Sequence, residues 1–69
     1  MIDYDKVAPL AQFMVEMIAK YPENREADGV RWDYVHDDVM MDYPGEFDDE
    51  LFEAAVNLIL EAAHNPTLH

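Results

Sequence analysis

The stretch HDDVMMDYPGEFDDE, residues 36 to 50, holds seven carboxylates and neither lysine nor arginine. Carboxylates ligate metals, relay protons or meet cationic surfaces, and the residues around them decide which. Metal chemistry has one candidate constellation. Glu61 and His64 in EAAH have the Glu-x-x-His spacing that di-iron bundles place on facing helices, and Glu16 would add a third ligand. The full set of helices and ligands would then require a symmetric pair of chains. The plainer reading gives His64 to the negative end of its own helix. His36-Asp37 has the order of a phosphohydrolase metal doublet, but that fold needs more than 69 residues. Neither metal nor cofactor is expected. With no serine, no cysteine, and only Gly29 and Gly45 as glycines, the chain has neither those nucleophiles nor a phosphate-cradling loop. An enzyme is not expected.

A cationic surface is then the target chemistry that fits. On helical geometry Asp33 and Asp37, Asp38 and Asp42, and Asp49 and Glu53 are each spaced i,i+4. Each like-charge pair costs about 0.2–0.5 kcal/mol where a Glu–Lys pair would contribute as much. One reading is that the acids only keep a small apolar domain in solution. The other is that they address a basic protein. Carboxylates a turn apart lie about 5–6 Å from each other at Cβ, a repeat of the same order as strand phosphates. Rows on two helices could thereby imitate a duplex. Met40, Met41, Tyr43 and Phe47 lie among these acids, and such side chains serve as interface anchors as readily as they edge a core. The candidate partner-binding set is Asp33, Asp37, Asp38, Met40, Met41, Asp42, Tyr43, Glu46, Phe47, Asp49 and Glu53. Arg31, beside Trp32, is a minor interface candidate whose simpler use is an ion pair with Asp28 or Asp33.

Three helices can position these residues. Asp3 or Asp5 caps the first, Pro9 fits its first turn, and Leu10, Phe13, Met14, Met17, Ile18 and Tyr21 share one apolar face before Pro22. The last begins at Asp48 as N-cap, with Phe47 stapled on Phe52. Leu51, Ala55, Leu58, Ile59 and Ala62 form its inner face. The middle is ambiguous: Val30, Trp32, Tyr34 and His36 alternate like a strand, whereas Trp32, Val35, Val39 and Tyr43 follow a helix capped by Asp28 and stopped by Pro44. A lone strand would have no partner, so the spacing is read as helix. The expected fold is all-α, a small three-helix bundle or a helical hairpin with a short middle helix.

The whole chain, 1–69, is expected to form one small acidic domain. It is 51% hydrophobic, too apolar for a disordered acidic tail despite a net charge of −12. A domain this size buries only about 60% of its unfolded surface, so dimerisation is expected to supplement the core. Residues 1–31 hold six acids and all four bases, while residues 32–69 hold ten acids and no lysine or arginine. Such a chain repels nucleic acid and anionic membrane alike. With no basic leader and no run of roughly 20 apolar residues, the expected location is the cytoplasm.

In size, acidity and lack of cysteine the chain resembles small phage- or plasmid-encoded inhibitors: DNA mimics, anti-restriction proteins and anti-CRISPR proteins. Locally, FMVEMIAKYPENREADGVRWDYV, residues 13–35, is similar to part of the colicin nuclease immunity proteins, with Met14, Val15, Glu16, Met17, Pro22, Asp33 and Tyr34 echoing that family. Its Tyr-Tyr-Pro is absent, since Val35 follows Tyr34. Both resemblances imply a helical acidic inhibitor seated on the nucleic-acid site of a basic enzyme or regulator. The competing expectation is a dimeric helical adaptor that binds its partner mainly through apolar contacts.

Overall fold

The first helix is prepared by a single 3-10 turn. In the computed structural model, which describes residues 2–64, Asp3 accepts a hydrogen bond from the Asp5 amide at 3.1 Å and so caps the turn Tyr4–Lys6. Helix α1 follows as Val7–Lys20. Pro9 is its third residue, where an amide would have had no intrahelical acceptor. Leu10, Met14 and Met17 are buried as the apolar spacing predicts; Val7 and Ala11 are buried with them, whereas Phe13, Ile18 and Tyr21 are only half-buried, so the face is turned toward Val7 and Ala11. Tyr21 adopts extended backbone ahead of Pro22 and ends the helix, its amide donating to the Met17 carbonyl at 3.1 Å.

A short hairpin separates α1 from the second helix. After a 3-10 turn at Pro22–Asn24, β1 (Arg25–Glu26) pairs antiparallel with β2 (Gly29–Val30), Arg25 opposite Val30 and Glu26 opposite Gly29. This adds a small strand pair to a mostly helical fold. It also corrects the expected start of the middle helix. Asp28 lies in the hairpin turn and caps nothing; α2 is Trp32–Asp42, with Arg31 at its N-cap position. Two paired residues per strand are too few to stand alone. The hairpin is tied down where the Arg31 amide donates to the Asn24 carbonyl at 2.8 Å.

Among the described residues Asn24 is the one buried polar side chain, 1% exposed. Its side-chain amide nitrogen donates to the Met17 carbonyl at 3.3 Å and to Asp38 Oδ2 at 2.8 Å. One side chain thereby joins the end of α1, the hairpin and the middle of α2. Every buried polar atom needs a partner, and these bonds specify one arrangement of the three.

Helix α2 ends at Tyr43, whose ring stands edge-on to Phe13 at 5.0 Å and to Phe47 at 6.3 Å. That ring accounts for Gly45: a Cβ there would lie 2.9 Å from Tyr43 Cε2, and the aromatic neighbours leave the ring little room to retreat. Helix α3, Asp49–His64, starts as expected. Asp48 accepts from the Leu51 amide at 2.8 Å, and the Phe47 and Phe52 rings meet at 6.1 Å as a hydrophobic staple.

Helices α2 and α3 both pack on α1. Val35, Val39, Leu51 and Ala55 close over Leu10 and Met14. The protein measures 30 × 29 × 15 Å, a slab with a shallow core. The distal half of α3 departs from expectation. Leu58 is 41% exposed and Ala62 is exposed, although both share the periodicity of the inner face. The apolar stripe outruns the surface available to cover it.

Candidate functional site

The acids divide into those that folding uses and those that it does not. Asp38 is half-buried and holds Asn24, so one of its oxygens is already engaged. Asp48 caps α3. Asp33 lies in the first turn of α2, and Asp49 and Glu50 in that of α3, where the helix dipole favours negative charge. Asp37, Asp42, Glu46 and Glu53 have no comparable role. All four are exposed, and among the described residues no lysine or arginine pairs with them. Asp42 is the last residue of α2 and opposes the dipole there, with no base in the final turn to offset it.

The apolar candidates also separate. Tyr43 and Phe47 are half-buried and belong to the aromatic cluster that closes the α2–α3 connection. Their rings anchor the fold, not an open surface. Met40 and Met41 are 65% and 84% exposed. Residues 33, 37, 40 and 41 fall on one side of α2, opposite the buried Val35 and Val39. Two flexible thioethers flanked by carboxylates therefore face outward together, with Tyr34, 42% exposed, beside them.

His36 marks where α2 meets α3. Its ring stands edge-on to Phe52 at 4.8 Å and to Phe47 at 5.7 Å, and its Nε2 lies 3.8 Å from Asp49 Oδ1. The imidazole fills an aromatic corner, and the long contact to a fully solvated carboxylate adds little. Arg31 takes neither expected acid. It reaches Glu26 across the hairpin at 3.7 Å and lies over the Tyr34 ring at 4.8 Å, so the aromatic partner is Tyr34, not the adjacent Trp32.

No group of three metal-ligating side chains stands together among the described residues, and the His64 side chain of the Glu-x-x-His pair lies outside them. Among the described residues, no helix is long and apolar enough to cross a membrane. Sequence reasoning missed two features. One is Asn24, which stands in the polar run ENREADG, where no residue pattern distinguishes an exposed asparagine from a buried one. A groove between the N-terminal segment and α3 was also missed, because Ile2 and Tyr4 lie outside any periodic run. Comparison with protein-family models, with curated proteins and with solved structures finds no match to this chain.

Proposed function

We propose that this protein is an acidic, non-enzymatic inhibitor whose α2 outer face occupies the nucleic-acid-binding surface of a basic enzyme or regulator. One observation carries the reading: on the outer side of α2 Asp37 is exposed without a folding role or a basic partner among the described residues, Met40 and Met41 stand exposed beside it, and Asp42 and Glu46 follow, equally exposed, at the helix end and in the connection to α3. A surface selected only for solubility needs charge, not thioethers beside it. A binding surface needs both, carboxylates to steer encounter with a basic patch and adaptable apolar contacts to hold it. Proteins that grip duplexes present such a patch, because phosphate contacts dominate their affinity. In this respect the chain is of the kind of the phage and plasmid inhibitors it resembles. The acting species is proposed to be a dimer, since a slab this thin gains most from a second copy.

The test is capture of the partner from a host lysate at low salt, followed by titration of this protein into the partner's nucleic-acid complex. Displacement in proportion to occupancy supports the proposal. Simultaneous binding of both ligands rejects it, and salt-insensitive capture favours an apolar adaptor instead. Sedimentation across micromolar concentrations checks the dimer.

A further inference from the structure

A groove of about 470 Å³ runs between the N-terminal segment and α3. Ile2, Val7, Ala54 and Leu58 give it an apolar floor, and Tyr4 stands at its mouth 75% exposed. Glu50 and Glu53 line its rim, and among the described residues no lysine or arginine does. Apart from Glu53, none of these residues belongs to the candidate set above, and none lies on α2.

We infer that this groove docks a cationic amphipathic segment of another protein, with an apolar side chain on the Val7–Leu58 floor and lysine or arginine against Glu50 and Glu53. Charge selects this occupant. A fatty acid, a nucleotide or an anionic lipid would bring negative charge to a carboxylate rim. A second copy of this chain has only four lysines and arginines against sixteen acids to offer this rim, so a dimer would form through another face. A basic helix carrying leucines satisfies floor and rim together, in the manner of a helix laid in a groove. The floor supplies what charge alone does not, a preference for one cationic segment over another. This site does not depend on the α2 face, and either surface can fail without the other.

The experiment titrates isotope-labelled protein with two synthetic peptides of equal positive charge, one an amphipathic leucine–lysine helix and the other leucine-free. The amphipathic peptide should bind more tightly and shift backbone amides in residues 2–7 and 50–61. Leu58→Ser should weaken it about tenfold while leaving the leucine-free peptide unchanged, because only the former loses apolar burial. Asn57→Lys, at an exposed position on the groove lining, should weaken both peptides, and serves if Leu58→Ser disturbs the fold. Val15→Ser, at an exposed position of α1 outside the groove and outside the α2 face, should leave both affinities unchanged. Shifts centred on α2, equal affinity for the two peptides, or indifference to both groove variants would overturn the proposal. So would concentration-dependent shifts in residues 2–7 and 50–61 without peptide, since a second copy would then be the occupant.

Discussion

The two sides of α2 come from the same eleven residues and answer to different demands. On the inner side Val35 and Val39 are fully buried, and Asp38 is fixed by Asn24. On the outer side Asp37 and Met41 are exposed, and the helix itself ends on an aspartate at its negative pole. The inner side is specified by volume and hydrogen bonding, where a wrong atom is costly. The outer side tolerates arrangements that a stability-driven surface would avoid. Identical residue types thus differ by side: Asp38 is held by Asn24 within the fold, whereas Asp37 is exposed with no lysine or arginine partner among the described residues.

The same substitution placed on each side gives the largest contrast. Val39→Asp puts an unpaired carboxylate where exposure is 0%, and circular dichroism should show an unfolded chain. Met41→Asp should change stability by no more than about 0.5 kcal/mol in urea titration. If both variants fold alike, the division of α2 is wrong. Next in size is Asn24→Asp, which sets a carboxylate against Asp38 and removes the donor to Met17. It should cost about 1–3 kcal/mol, and adding Asp38→Asn should recover part of that loss in a double-mutant cycle. Asp48→Ala removes the α3 cap and should cost about 1 kcal/mol. Smallest in stability is Asp37→Asn/Asp42→Asn/Glu46→Gln. Unfolding should stay within about 0.5 kcal/mol of the parent or rise slightly, as like charges are removed. The rate of association with a captured partner should nevertheless fall, as should its dependence on salt.

Helices α1 and α3 were legible because their apolar residues recur with the period of a helix over several turns; the end of α1 and the start of α3 carry chemical punctuation, whereas the expected cap of the first helix, Asp3, serves the preceding turn and α1 itself begins after Lys6 with no side-chain cap. Asp48 with its Phe47–Phe52 staple was readable to the residue. The middle was harder because Val30 to His36 satisfies both periodicities. Both are present: Val30 pairs in β2, and from Trp32 onward the chain is helical. Strands of two residues are shorter than any pattern can register. At the candidate surface, sequence placed the acids and methionines together. It did not separate Tyr43 and Phe47 from Met40 and Met41, because that depends on Phe13, some 30 residues earlier in the chain, reaching the Tyr43 ring. Nor did it reveal that Asp38 is consumed by Asn24. Both are long-range pairings, decided by how the helices assemble.

The methionines differ in more than burial. Met14 is sealed at 0% exposure and Met17 at 8%, while Met40 and Met41 meet solvent directly. Oxidation to the sulfoxide follows access, and it turns a pliable apolar side chain into a polar one. Among the described methionines peroxide should therefore modify those on the outer side of α2 first, with the core sulfurs protected until the chain opens. Mass spectrometry would find two added oxygens on residues 40 and 41 while the helical signal stays intact. A stock aged in air would pass every assay of folding with the outer side of α2 already changed, and methionine sulfoxide reductases would be the chemistry that restores it.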